Sequence, residues 1–389
     1  MVTKINPEDT IILIDTSRSM ARKDFIPDRM SIVLNTITNF IKKKFLIDPK
    51  DRISLLIVGN TPKLICGLTF EQEELLHSFN KITISGKGKL HSGISFAVQL
   101  LIREMRKVGG KTSRIFIISD NKSIDFNEKV SKLINTLKGL GIIVDSCQLG
   151  KYSGNERTFL KRIAQDTGGE FGYFNNPKAI INSGKAFASK KQIKETNEFY
   201  SQKNYDKTPL ISEVALSLRR PSLLEIQMMM AEKNITHNKC AICHSIKAPL
   251  TGADYFTEGR SCPSCDRAMH LSCAVQWAKK SESKEEVFRC PFCFFLLKIP
   301  KSTTTLLDSD KLNNSRIKIL PEEKTTVMTQ IEGAQVNNIY ASCTFCRNIF
   351  SEENIVYQCK NCGVYYHEPC LEKLKRQIGG CRYCGSKIL

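Results

Sequence analysis

The chain has 389 residues, of which 41% are apolar and 25% charged, and its net charge is +19. This is the composition of a folded protein with room for one ordinary domain and smaller modules, and no apolar run is long enough to cross a bilayer. The excess positive charge raises nucleic-acid binding as a reading, but basic residues are spread along the chain and the densest block is only Lys42-Lys43-Lys44. General association with acidic partners therefore ranks above specific nucleic-acid recognition.

Residues 1–185 alternate apolar strand-like runs with helical periodicity. IILID (11–15) precedes a helix from about Arg29 to Phe45. RISLLIVG (52–59) and KLICGL (63–68) read as neighbouring strands, followed by helices near Glu71–Phe79 and Ile94–Lys107. The strand RIFIIS (114–119), a helix near Asn127–Leu140, the strand IIVDSCQL (142–149), a helix near Asn155–Thr167 and a short strand EFGYF complete the series. Such alternation predicts an α/β fold, doubly wound, with a mostly parallel sheet covered on both faces by helices. Ligand chemistry in such folds belongs at the carboxyl ends of the strands. Cys66 and Cys147 lie inside these apolar runs and are expected to be buried strand residues rather than disulfide partners.

The first strand ends in Asp15-Thr16-Ser17-Arg18-Ser19. One carboxylate and two hydroxyls on a tight loop are hard oxygen ligands, suited to Mg²⁺ that keeps part of its water. This Asp-x-Ser-x-Ser loop resembles the metal-ion-dependent adhesion site (MIDAS) of von Willebrand factor A (vWA) domains. The resemblance implies a third-loop ligand at Asp120 and a second-loop threonine, where Leu90 stands instead; Ser92 could substitute only with a loop shift. Two readings stay open: a bound Mg²⁺ on Asp15, Ser17, Ser19 and Asp120, or a metal-free loop whose side chains cap the backbone. The run Ser19 to Met30, with its Asp24-Phe25-Ile26-Pro27-Asp28-Arg29 element, resembles the vWA subunit of the transcription/repair factor TFIIH and the vWA ubiquitin receptor of the proteasome. Ser113-Arg114 and Thr167-Gly168-Gly169 fit the same relatives. Domains of this type bind partners and do not usually catalyse.

Residues 186–237 read as a helical connector, Lys-rich at first and then amphipathic, with Pro221 dividing it into two short helices. Met228-Met229-Met230 is expected to be core or domain-packing surface.

The strongest signal follows. Cys240-x2-Cys243, Cys262-x2-Cys265, His270-x2-Cys273 and Cys290-x2-Cys293 are repeated in the same order as Cys343-x2-Cys346, Cys359-x2-Cys362, His367-x2-Cys370 and Cys381-x2-Cys384. Two residues between thiolates let one turn present both sulfurs to a tetrahedral zinc, and each array has eight ligands, enough for two ions. Four zinc ions are expected in all. Fourteen of the 16 cysteines belong to the arrays, and thiolates held by zinc without an export signal place the chain inside the cell, cytoplasmic or nuclear.

The first array (238–298) resembles RING and PHD fingers, and also the RING-like finger of the non-SMC subunit of the SMC-family DNA-repair complex. Their interleaved arrangement implies one zinc on Cys240, Cys243, His270 and Cys273, and another on Cys262, Cys265, Cys290 and Cys293. Ile242, Trp277 and Pro291 match the apolar trio with which RING ligases hold an E2 enzyme. Phe294 stands where many active RINGs have a basic residue. His237 and His244 are expected on the surface. Residues 299–340 form a linker that is either a flexible spacer or two strands, RIKIL and TTVMTQI, packing on a neighbour. In the second finger (341–389) the same resemblance assigns Cys343, Cys346, His367 and Cys370 to one zinc, and Cys359, Cys362, Cys381 and Cys384 to another. Phe345 and Leu374 keep two apolar positions of the E2-type surface, but Arg382 replaces the proline. Gly379-Gly380 before Cys381 disfavours methyl-lysine reading.

Three functions remain. The first is an interaction scaffold with E3-like activity in a ubiquitin-type pathway, the vWA domain holding substrate or a complex and the first finger an E2. The second is a non-catalytic TFIIH-like subunit of a DNA-repair or transcription assembly, bracing a helicase-type subunit. The third, nucleic-acid binding, lacks the basic-aromatic stripe such proteins use.

Overall fold

A computed structural model describes residues 6–120, 128–150, 158–191, 210–222, 224–227, 239–280, 286–299, 325–331, 335–336, 339–351, 355–377, 379–381 and 386–389. The chain divides into two compact units, one of Met1–Arg103 and Gly109–Pro209, the other of Glu104–Val108 and Leu210–Leu389.

The first unit is built on a six-stranded sheet. Its strands are β1 (Glu8–Asp15), β2 (Arg52–Val58), β3 (Pro62–Thr69), β4 (Thr112–Ser119), β5 (Ile143–Gln148) and β6 (Phe171–Tyr173). They lie in the order β3-β2-β1-β4-β5-β6. All pairs are parallel except β2 with β3, which is antiparallel. All eight residues of β1 and of β4 are buried. Parallel strands covered on both faces read as continuous apolar runs, which is why IILID and RIFIIS stand out.

The helices are α1 (Arg29–Ile47), α2 (Gln72–His77), α3 (Leu90–Lys107), α4 (Glu128–Gly139), α5 (Phe159–Asp166) and α6 (Pro177–Phe187). Asp28 caps α1 by accepting from the Ser31 amide at 2.8 Å, satisfying one of the free donors at a helix start. The buried face of α1, Met30, Val33, Ile37, Phe40, Ile41 and Lys44, follows helical spacing. Phe40 stacks on Phe116 with centroids 5.0 Å apart, and Phe116 meets Phe187 at 4.8 Å. Cys66 and Cys147 are both buried and free, and burial pushes the Cys147 thiol up to about 12.

β1 starts three residues before the apolar run that signals it. Glu8, Asp9 and Thr10 are buried strand residues, and charge is tolerated there only because it is paired. Glu8 bonds Lys44 and, at 3.1 Å, Arg114. Asp9 holds Arg52 at 2.6 Å and Lys111 at 3.1 Å. Arg114, fully buried, also donates to Asp145 at 2.5 Å and to the carbonyls of Ser189 and Phe187. Packing continues beyond residue 185: Lys190 pairs with Asp48 at 2.8 Å and Asp51 at 2.5 Å, and Lys191 with Asp145 at 2.9 Å.

The second unit opens with a one-turn helix, α7 (Ile211–Val214), and a two-residue strand, β7 (Leu216–Ser217). The sequence predicts a helix running up to Pro221. Instead Leu216 and Leu218 enter the core of the first finger, and β7 adds a parallel third strand to its hairpin. Burial of two leucines at strand spacing outweighs the weak helical pattern. The finger contains α8 (Tyr255–Glu258), the hairpin β8 (Gly259–Ser261) with β9 (Ala268–His270), α9 (Leu271–Lys280), and the hairpin β10 (Val287–Arg289) with β11 (Leu296–Lys298).

In the second finger β12 (Thr325–Thr326) pairs in parallel with β16 (Lys387–Ile388). β13 (Met328–Ile331), β14 (Val356–Cys359) and β15 (Tyr365–His367) form an antiparallel sheet beside α10 (Glu368–Gln377). The TTVMTQI fragment is thus strand, packed on the finger that follows it. RIKIL, Met228-Met229-Met230, His237, Arg382 and Cys384 lie outside the described residues. Among the described residues, no helix is long and apolar enough to cross a membrane.

Candidate metal centres

The five Cys-x2-Cys turns among the described residues share one backbone. The fourth residue after the first cysteine has positive φ: His244 (57°), Asp266 (53°), Phe294 (57°), Arg347 (69°) and Gly363 (72°). Its amide donates back to the carbonyl of that cysteine at 2.8–3.0 Å in all five turns. The cysteine's own amide then bonds the carbonyl one residue further on, from Cys240 with Ser245 to Cys381 with Ser386. These bonds close the loop, and amides turn toward sulfur: that of Ile242 within the loop and that of His270 on β9 lie 3.4 and 3.3 Å from the Cys240 sulfur. Among the described turns, only at Gly363 is the left-handed backbone met by a residue without a Cβ.

These turns bring four groups together. Cys240, Cys243, His270 and Cys273 form one, Cys262, Cys265, Cys290 and Cys293 another, and Cys343, Cys346, His367 and Cys370 a third. Cys359, Cys362 and Cys381 form the fourth among the described residues. In each, the ligand atoms lie within 4.8 Å of one another, so all four groups can hold a metal ion. The finer spacing fits a small tetrahedron. Sulfurs ~2.3 Å from a shared tetrahedral centre lie about 3.8 Å apart; Cys262 to Cys293 is 3.6 Å, Cys265 to Cys290 3.9 Å and Cys362 to Cys381 3.6 Å. His270 Nδ1 is 3.5 Å from Cys243 and 3.7 Å from Cys273, and His367 Nδ1 is 3.3 Å from Cys346.

Supporting partners complete the sites. The Ile246 carbonyl accepts from His270 Nε2 at 2.9 Å, leaving Nδ1 as the ligand nitrogen. Tyr366, fully buried, places its hydroxyl 3.3 Å from the Cys381 sulfur, and the Thr326 hydroxyl is 3.2 Å from Cys359. No spacing rule points to these two; they become legible only once β12 and β15 are folded against the turns.

On the first finger, Trp277 is 40% exposed and its indole donates to the Arg289 carbonyl at 3.1 Å, which holds the ring beside the Cys290-Pro291 turn. Ile242 and Pro291 are half-buried, and Ile242 packs on the finger core. Phe292 and Phe294 are also exposed, with the Arg267 guanidinium 4.7 Å above the Phe292 ring. His244 is exposed. The second finger differs. Leu374, expected to keep part of an apolar surface, is wholly buried among Tyr366, Leu371 and the cysteines, because α10 needs it as its core anchor.

The oxygen cluster of the first unit sits at the carboxyl ends of β1 and β4. Asp15 accepts from the Ser17 amide at 2.8 Å and the Ser119 hydroxyl at 2.5 Å. Ser17 and Ser19 hydroxyls are 2.9 Å apart, and Ser19 donates to Asp120 at 2.8 Å. Burial pushes the Asp15 carboxyl up, against these hydrogen bonds. Arg29, at the start of α1, bonds Asp120 and clasps Asp24 at 2.7 and 2.5 Å. The clasp holds the Asp24 carboxyl below its ordinary value and the Arg29 guanidinium above. Residues 10–122, which carry this cluster, match the von Willebrand factor type A domain family.

The first unit holds a vWA domain.

Across 145 residues the chain is 24% identical to the 26S proteasome regulatory subunit rpn10 of Schizosaccharomyces pombe, covering 37% of this chain and 59% of that protein. It is 26% identical, across 149 residues, to the 26S proteasome non-ATPase regulatory subunit 4 of Dictyostelium discoideum, covering 38% and 42%. The match thus spans less than two thirds of these relatives. Among solved structures, the SpRpn10 VWA domain aligns at 20% identity and a TM-score of 0.41, covering 46% of this chain and 95% of that one. The TFIIH p34 N-terminal domain aligns at 14% and 0.38, covering 46% and 97%.

Proposed function

We propose that this protein is a non-catalytic scaffold subunit of a larger intracellular assembly, of the TFIIH-like DNA-repair and transcription kind. The vWA domain docks a neighbouring subunit, and the fingers, each holding two zinc ions, dock or brace another. The observation that carries this reading is the vWA match to proteins named as regulatory subunits of a large machine. The ligand sets support it. Three are complete groups of four, and a four-coordinate tetrahedral ion has no position left for a reacting water. The order of modules, vWA and then zinc fingers, is that of the TFIIH subunit the sequence resembles.

The test is affinity recovery of the full chain from its own cells, followed by identification of what co-purifies. A stable set of partners, a helicase-type subunit among them, is expected to persist in Trp277→Ala. Recovery that depends on Trp277 counts against this reading.

A second reading is favoured by one observation, the exposed Trp277 held beside Pro291. In it the first finger recruits an E2 and orients its thioester for attack. Ubiquitin discharge from a charged E2 would then speed up with the full chain, and Ile242→Ala or Trp277→Ala would abolish the effect at unchanged zinc content. Loss of zinc in those variants would mean that they merely unfold the finger. No acceleration across the E2 enzymes of the same organism rejects the reading.

A further inference from the structure

The Asp-x-Ser-x-Ser loop and Asp120 are the place where metal-binding vWA domains take a divalent ion. Two features of this chain do not fit such an ion. First, Leu90, at the position of a ligand hydroxyl, is 1% exposed and brings only carbon.

Secondly, a cation is already present. The Arg29 guanidinium bonds the second Asp120 oxygen, with side-chain exposures of 6% for Arg29 and 7% for Asp120. Asp24 grips its other edge through two bonds, a planar fork that lysine could not replace. The backbone makes room for it. Gly150, at the end of β5, has φ of 86°, and a Cβ there would lie 3.3 Å from Arg29 Nη2. A divalent ion bound at Asp120 would be pressed against this buried positive charge, with little water to screen it.

We propose that Arg29 is the resident cation of the vWA site, neutralising Asp120 in place of Mg²⁺. The Asp24-to-Arg29 element is then the device that delivers it: Asp28 starts α1, and Arg29, its first residue, is aimed by Asp24 into the cluster.

The test uses the full, zinc-loaded chain and Mn²⁺ as a spin probe in place of Mg²⁺. At about 1 mM, the weak end of protein divalent sites, no stoichiometric bound Mn²⁺ is expected in its resonance spectrum. One tightly held Mn²⁺ per chain, lost in Asp15→Asn, overturns the proposal. Melting of variants tests the other half. Arg29→Met and Asp120→Asn should each lower the transition of the vWA domain, and the double variant should lose no more than the worse single one. Additive losses would show that the two residues act apart, and would overturn it as well.

Discussion

A strong chelator applied to the full chain is expected to unfold the fingers and leave the melting transition of the vWA domain in place. The cores of the two fingers are small and include the ligand cysteines themselves. Structural zinc in such modules contributes about 10–16 kcal/mol, whereas a whole domain is stable by only about 5–15 kcal/mol. Nothing in the fingers makes up for its loss. The single tryptophan, Trp277, lies in the first finger and reports on it directly. Its emission should shift to that of a free indole as metal leaves. Cys262→Ser should produce the same shift without chelator, because it breaks one tetrahedron of the first finger. An unchanged emission in protein shown by elemental analysis to be metal-free would refute the zinc assignment as a folding requirement.

The second large effect lies at the other end of the vWA sheet. Arg114→Met removes a buried cation that serves Glu8, Asp145 and two carbonyls at once. Breaking a buried ion pair from one side costs about 3–5 kcal/mol, and for a domain of this size that lowers the melting temperature by on the order of 10 °C. The pH dependence has a defined sign. Burial alone would raise the Glu8 carboxyl, but Arg114 and then Lys44 outweigh it and hold it below its ordinary 4.5. In the native protein this contribution is full above that value and fades as pH falls through the lowered one. Without Arg114 the largest counterweight to burial is gone, Glu8 takes up its proton more readily, and the deficit is largest at neutral pH. Denaturation curves at neutral and acid pH measure it. A deficit that grows on acidification would contradict the assignment.

How much of this was legible in the sequence depends on how local each feature is. The eight Cys/His pairs were, because a knuckle is set by four neighbouring residues. Their division into interleaved groups was not: spacing is silent on whether the first pair shares an ion with the second or the third. That came from resemblance, and the structure groups them in that interleaved way among the described residues. The central strands were legible as apolar runs, but the first turn of β1 was hidden by Glu8 and Asp9, whose partners Lys44, Arg114 and Arg52 are far away in the chain. Leu374 read as surface by analogy with Trp277, though only the fold of α10 decides which side of a helix meets the core. Arg29 stood in a recognised element, yet its role depends on Asp120, 91 residues later.

β7 was the least legible element and has a consequence for biosynthesis. It leaves the ribosome roughly eighty residues ahead of β11, its pairing partner among the described residues, so at ~5–20 residues per second it waits about 4–16 s. During that interval Leu216 and Leu218 have no finger to enter, and an apolar segment with an open edge is where a nascent chain invites chaperones. A truncation that starts at the first ligand cysteine would leave the mirror-image defect, a finished finger with a vacant edge and no strand to cover it.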